Sequence, residues 1–425
     1  MVQNITLKNG VRVVTERIPY LHSVSIGVWV KAGSSTETQE QNGISHFIEH
    51  MLFKGTESRN AREIAAVIDN VGGQLNAFTA KECTCYYVQV MQDDLTLGLE
   101  LLSDMLKNSV FEKESLYKEQ SVVCEEISMV EDTPDDLVHD LVAQAYFRNH
   151  PLGRSILGSR ENVCSFDAES IRQYMNERYT ADRIVLSIAG NFDETSMPEL
   201  AEQFFGTGIA AAGKANDTVE VQKFCPENNC LCVHKANEQM NMCLSFPGTS
   251  LRDHKMRYAA SVFNVVFGGS MSSRLFQEIR EKNGLTYSVF SYTSQYIDHG
   301  MFSVYAGMNP KQTERVIDLV FAMLAKARKE LLSADELYHA KNQLKGSLLL
   351  GLEGSQSIMS RNGKSMLLLG KIEPIDAMQQ SIEAVSMEHI SQLMEHIFNE
   401  NVVCSAFVGN QEFFPKNCDK NRLTE

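Results

Sequence analysis

The sequence predicts an α+β protein built from two related domains, each a mainly antiparallel sheet packed against helices. Three observations carry this expectation. Stretches of period-two apolar alternation interleave with stretches of helical period along all 425 residues. Gly206 to Asp217, GTGIAAAGKAND, is rich in Gly and Ala and poor in periodic signal, which marks a linker. On either side of it similar segments recur. MNMCLSFPG ends at Gly248 as SIGVWVKAG ends at Gly33, SVYAGMNPKQTERVIDLVFAML resembles VQVMQDDLTLGLELLSDML, and NVVCSAFVGN resembles RIVLSIAGN, at offsets of about 215 to 219 residues. A chain this long exceeds one ordinary core. The expected division is a first domain over 1–205, a linker over 206–220 and a homologous second domain over 221–425.

Taken in order, Ile5 to Val14 reads as a hairpin turning at Asn9-Gly10. His22 to Ala32 reads as a strand in which Val24, Ile26, Val28 and Val30 alternate with Ser25, Gly27 and Trp29, so at least one side is covered. A helix over Gly43 to Thr56 follows, then a short amphipathic helix over Ala61 to Val71. Gly72-Gly73 leads into strands over Gln74 to Ala80 and Cys83 to Met91. Helices are expected over Leu95 to Leu106, Leu116 to Val130, Leu137 to Phe147 and Ala168 to Arg178. A loop carrying His-Pro-Leu-Gly spans Arg148 to Arg160, and a strand over Arg183 to Ala189 closes the first domain.

The helix GISHFIEHMLFKGT holds the chemistry. Ile44, Phe47, Ile48, Met51 and Leu52 follow the helical repeat and form a buried stripe. His46, Glu49 and His50 lie outside it. Residues four apart stack on one helix face, so the two imidazoles can aim at one point, as a zinc ion requires. The order His-x-x-Glu-His inverts the commoner zinc-protease pattern. Catalytic zinc takes three protein ligands and keeps a fourth position open, so a further His or carboxylate is expected on another helix. Glu126 is the candidate. In Leu116 to Val130, Glu119 and Glu126 fall on the apolar face with Leu116, Val123, Ile127 and Val130, where a carboxylate needs a partner.

These residues resemble the pitrilysin, insulysin and mitochondrial processing peptidase family of zinc peptidases, closest to its bacterial processing-peptidase-like members. Glu126 stands 76 residues beyond His50, where that family places its third ligand, and Glu119 stands seven before it, at a second family glutamate. The resemblance covers almost the whole chain. It implies a Zn2+-dependent endopeptidase acting on peptides or unfolded polypeptide, with His46, His50 and Glu126 as ligands and Glu49 as general base. Glu119 is expected to orient the ligands rather than fill the open position. It further implies that Asn76, Ala77 and Phe78 lie on an exposed strand edge to which substrate backbone pairs. Asp136 and Asp140 match an acidic pair with which the processing peptidase holds a substrate arginine. Four apart, they share a helix face and suit a guanidinium fork; an acidic helix start after Pro134 would account for Asp135 and Asp136 better than for Asp140.

In the second copy, SVFNVVFGGSMSSR replaces the histidine helix and carries no histidine pair. Gly268-Gly269 is followed by no Gly-Lys-Ser/Thr and is not a phosphate loop. In RLFQEIREKNGLTYS, Arg280 and Tyr287 match a family arginine and tyrosine that bind substrate near the scissile bond; a guanidinium and a phenol suit an oxyanion. Some relatives lack zinc residues and act as non-catalytic core or partner subunits, so a scaffold that binds polypeptides is the rival reading. Family enzymes enclose a chamber with four such units. One chain supplies two, which predicts a homodimer.

Composition sets the remaining limits. A hydrophobic fraction of 43% and charged fraction of 22% are those of a globular protein, and no apolar run is long enough to span a membrane. MVQNITLKNG lacks the features of a secretory signal, which points to the cytoplasm. A net charge of −15 argues against a nucleic-acid partner. Ten cysteines are spread along the chain, as expected of free thiols in a reducing compartment. Cys225, Cys230 and Cys232 lack a matching fourth ligand and are expected to be buried strand thiols, and Cys83 and Cys85 should face the same way on their strand.

Overall fold

The computed structural model describes residues 2–211, 224–399 and 402–415. The first half runs β1 (Val2–Thr6), β2 (Arg12–Arg17), β3 (Ser23–Val30), α1 (Ile44–Met51), α2 (Ala61–Asp69), β4 (Gln74–Thr79), β5 (Thr84–Met91), α3 (Leu95–Asn108), α4 (Lys113–Asp132), α5 (Pro134–Phe147), α6 (Arg160–Ser165), α7 (Ala168–Arg178), β6 (Ile184–Gly190) and α8 (Met197–Phe205). The second runs β7 (Asn229–His234), β8 (Met240–Pro247), α9 (His254–Phe267), β9 (Thr286–Gln295), β10 (Gly300–Met308), α10 (Thr313–Glu330), α11 (Ala334–Gly351), α12 (Ser355–Leu369), α13 (Ile375–Glu383), α14 (Met387–Asn399) and β11 (Cys404–Gly409). Residues 212–220 of the expected linker lie outside the described residues.

The strands form two sheets, ordered β1-β2-β6-β3-β5-β4 and β7-β11-β8-β10-β9. From β2 onward the two orders are the same in sequence rank. Each has one parallel pair, β2 with β6 and β7 with β11, and antiparallel pairs elsewhere. The repeat read from the sequence is therefore a repeat of topology, and the α+β fold class holds.

The chain divides into two compact units that are interleaved, where the sequence reading laid them end to end. One contains Met1–Ser128, Arg154–Gln222 and Gly351–Ile372; the other contains Met129–Gly153, Lys223–Leu350 and Glu373–Glu425. Thus α12 belongs to the unit of the first sheet and α5 to that of the second. In β3, Val24, Ile26, Val28 and Val30 enter the main core with α1 and α3, while Ser25, Gly27 and Trp29 lie under α12, so the strand is covered on both faces. Trp29 Nε1–H points at Met359 Sδ at 3.4 Å, and Ser25 Oγ lies 2.9 Å from Ser355 Oγ. A Cβ on Gly363 would fall 2.2 Å from Trp29 Nε1, and one on Gly27 would fall 2.3 Å from Met359 Sδ, so two glycines permit the close approach. In the second unit α5 inserts Val138 and Val142 against Cys243, Tyr305, Ala406 and Val408 of β8, β10 and β11. An apolar helix stripe says that a sheet covers it, not which sheet.

Candidate metal centre

Helix α1 starts at Gly43, whose φ of +102° is left-handed and whose Cβ would meet Leu157 O at 2.7 Å. Its first amides are met by a buried carboxylate. Glu37 Oε2 accepts from Gly43 N (2.8 Å) and Asn42 Nδ2 (3.0 Å), and Oε1 from Ser45 N (2.9 Å). Burial nevertheless pushes the Glu37 carboxyl above the usual range. Ile44, Phe47, Ile48, Met51 and Leu52 are all buried, which fixes the rotation of the helix and turns His46, Glu49 and His50 away from the core stripe.

His46 Nε2 and His50 Nε2 each lie 3.6 Å from Glu126 Oε2 of α4. One donor atom from each of the three lies within 4.8 Å of the others. At 3.6 Å the carboxylate makes no hydrogen bond to either ring; three lone-pair donors converge without satisfying one another. A tetrahedral zinc with bonds of about 2.0–2.2 Å separates its donors by roughly 3.3–3.6 Å, so the set fits that ion. It is the one such cluster among the described residues. His46 Nδ1 is buried without a hydrogen-bond partner. Burial, then the repulsion a second proton would meet from the neighbouring His50 imidazole, lowers the His46 pKa to about 4, which keeps the ring neutral and its lone pair available near neutral pH.

Glu119 stands seven residues before Glu126 on the same helix face and is buried. Its Oε1 accepts from His50 Nδ1 at 2.8 Å and its Oε2 from Lys54 Nζ at 2.7 Å. Burial opposes its charge, but these two bonds outweigh burial and hold its carboxyl below the usual range. With the proton of His50 committed to Nδ1, the Nε2 lone pair faces Glu126. Glu49 Oε2 accepts the Thr79 hydroxyl at 2.5 Å. Burial, with a contribution from Glu126, raises the Glu49 carboxyl above its usual range despite the hydrogen bond from Thr79 and the nearby His50.

Thr79 ends β4, the outer strand of its sheet, which carries Asn76, Ala77 and Phe78. Phe78 is 38% exposed and sets an edge against Trp29 at 5.5 Å. The Ala77 N–H donates to Asn76 Oδ1 at 2.8 Å. Arg280, Tyr287, Asp136 and Asp140 belong to the other unit. Arg280 lies in a π-helical turn, Phe276–Lys282, with its guanidinium 4.6 Å from the Phe276 ring centre and 5.1 Å from that of the exposed Tyr287. Asp136 and Asp140 flank His139 on α5, and His139 Nδ1 lies 2.7 Å from Tyr292 OH. Contrary to the expectation of buried strand thiols, Cys225 is exposed and precedes β7 rather than lying on it, and on β7, an edge strand with a sheet neighbour on one side only, Cys230 is partly buried and Cys232 exposed. Cys83, just ahead of β5, and Cys85 on that strand are both buried. Glu37, Lys54 and Thr79 were not singled out from sequence. Lys54 alone had a local signal, its place four residues after His50.

A topology of two like α+β units, one bearing an inverted His-x-x-Glu-His helix and a third carboxylate, defines the class of inverted-motif metallopeptidases. The sequence profile of "Insulinase (Peptidase family M16)" matches residues 12–160, and that of the "Peptidase M16 inactive domain" matches residues 165–344. The Bacillus subtilis protein named "Uncharacterized zinc protease YmxG" is 46% identical over 94% of this chain and 97% of its own length. A Streptomyces coelicolor protein likewise named an uncharacterized zinc protease is 39% identical over 92% of this chain and 85% of its own. The chain belongs to peptidase family M16. Its fold is that of a Helicobacter pylori protease crystal structure, with a TM-score of 0.88 at 21% identity, covering 96% of this chain and 99% of that one. Among the described residues no helix is long and apolar enough to cross a membrane.

Proposed function

We propose that the protein is a cytoplasmic zinc endopeptidase that cleaves peptides or unfolded polypeptide segments, favouring a basic residue near the scissile bond. The observation that carries this reading is the convergence of His46 Nε2, His50 Nε2 and Glu126 Oε2, with the Glu49 carboxylate beside them. These three residues would hold the ion. Bound zinc supplies Lewis-acid activation of water and of the scissile carbonyl. Glu49 takes the proton of the attacking water at its carboxylate and passes it to the leaving amine; a pKa raised by burial suits both halves of that transfer. The Thr79 hydroxyl holds Glu49 in place, and Glu119 holds the ring of His50 through Nδ1. The free edge of β4 pairs with substrate backbone, which tolerates many sequences. For that pairing to include the Ala77 amide, the Asn76 side chain must give up its bond.

Arg280 and Tyr287 are assigned to the substrate near the scissile bond, and Asp136 and Asp140 to a substrate guanidinium. Two chains are expected to associate as a homodimer, which light scattering at working concentration tests. The decisive experiment compares Glu49→Gln with His46→Ala on quenched peptides while measuring bound zinc. Glu49→Gln should keep zinc and lose hydrolysis, and His46→Ala should lose both. Hydrolysis by Glu49→Gln at wild-type rate overturns the base assignment, and a wild type that binds no zinc and cleaves nothing favours the scaffold reading.

A further inference from the structure

From the geometry we infer that Cys124 and Cys164 form a reversible thiol–disulfide pair, closed by a peroxide, that staples α6 to the helix presenting Glu119 and Glu126. Their Sγ atoms lie 3.9 Å apart across forty residues of sequence. Cys164 is exposed and Cys124 partly so, and closing the 3.9 Å gap by about 1.9 Å brings the sulfurs to the bond length of about 2.05 Å. The backbones on both sides are pinned reciprocally. Arg160, one turn before Cys164, donates through Nη1 to the carbonyl of Cys124 (3.2 Å) and through Nη2 to Ser128 Oγ (3.0 Å). Gln120, one turn before Cys124, donates through Nε2 to the carbonyls of Cys164 (3.4 Å) and Phe166 (2.9 Å). Each cysteine is thus held beside the other by the opposite helix. Cys230 and Cys232 are as close, at 3.7 Å, but sit two apart on one strand, where a rise of about 3.3 Å per residue places their Cα atoms near the outer limit for a disulfide.

The chemistry balances with one peroxide. The Cys164 sulfur attacks the O–O bond, releasing water and leaving a sulfenic acid. The Cys124 sulfur then displaces hydroxide from that sulfur, its own proton completes a second water, and the S–S bond forms. Two sulfur-derived electrons reduce the peroxide, and a dithiol reverses the step.

The test uses the full-length protein exposed to equimolar hydrogen peroxide, blocked with iodoacetamide and digested without reduction. The expected result is a peptide containing Cys124 joined to one containing Cys164, lighter than their sum by two hydrogens. It should vanish with dithiothreitol and be absent from Cys124→Ser and Cys164→Ser. The oxidised wild type should also melt at a higher temperature than the reduced protein, whereas Cys164→Ser should show no such oxidation-dependent rise. Recovery of both cysteines as alkylated or separately over-oxidised thiols, with no joined peptide, overturns the pairing. A joined peptide with no change in melting temperature overturns the staple.

Discussion

Removing the Glu119 carboxylate should weaken zinc binding without touching a ligand. Glu119 bonds two donors at once, His50 Nδ1 at 2.8 Å and Lys54 Nζ at 2.7 Å. The two substitutions at this site should differ in size. In Glu119→Gln the amide oxygen can still accept from one donor while its NH2 faces the other; Lys54 is 33% exposed and can turn to solvent, so the oxygen stays with His50. In Glu119→Ala the Nδ1–H of His50 loses its carboxylate acceptor and the ring, 22% exposed, is no longer held. Losing a group that orients a ligating histidine costs about 10–100-fold in metal affinity, or about 1.4–2.8 kcal/mol. The expected outcome is a loss of about tenfold for the glutamine and about a hundredfold for the alanine. The assay is competition for zinc against a chromophoric chelator at fixed pH, with kcat measured on zinc-saturated protein. Lys54→Met separates charge from orientation: it removes the cation and leaves the His50 bond, so its affinity should stay near wild type. Alanine and wild type within twofold of each other would refute the role given to Glu119.

Three further outcomes follow from particular contacts. Bonding to Arg274, against the opposing effect of burial, lowers the Glu336 carboxyl to about 2; a depressed carboxylate adds stability above its unfolded pKa of about 4.5 that is lost as pH falls toward 2. Glu336→Gln should therefore flatten that part of the acid-unfolding profile while losing stability at pH 7, and an unchanged acid limb contradicts the assignment. Gly363→Ala places a Cβ inside the Trp29 ring contact and should destabilise by about 1–3 kcal/mol as α12 is pushed off β3; Gly346→Ala in α11, where a Cβ meets nothing within 4 Å, should stabilise by up to about 1 kcal/mol. Denaturant melts that move both variants the same way would count against the packing account. Asp136→Asn with Asp140→Asn should raise KM for an arginine peptide far more than for its norleucine analogue, and equal effects on the two peptides would remove the acidic pair from substrate binding.

Local spacing in the sequence determined the histidine helix, because an i, i+4 pair and its apolar stripe are set by one helical repeat. The same logic placed Glu119 and Glu126 on one face of α4, and period-two alternation located β3, β4 and β5. The internal repeat revealed the shared topology before any strand order was known. The tertiary structure decided which elements complete each unit. Helices α5 and α12 carry ordinary apolar stripes, and the choice of sheet depends on shape, such as the room that Gly27 and Gly363 leave between β3 and α12. It also decided the partners of the site. Thr79 reaches Glu49 from thirty residues away, and Cys164 reaches Cys124 from forty, contacts that no local pattern encodes. Glu37 capping α1 belongs with them: its carboxylate is six residues from Gly43 and returns to the helix only because the intervening loop is folded back on itself. Periodicity reports which face of an element is buried; what it is buried against is settled by packing between segments distant in the chain.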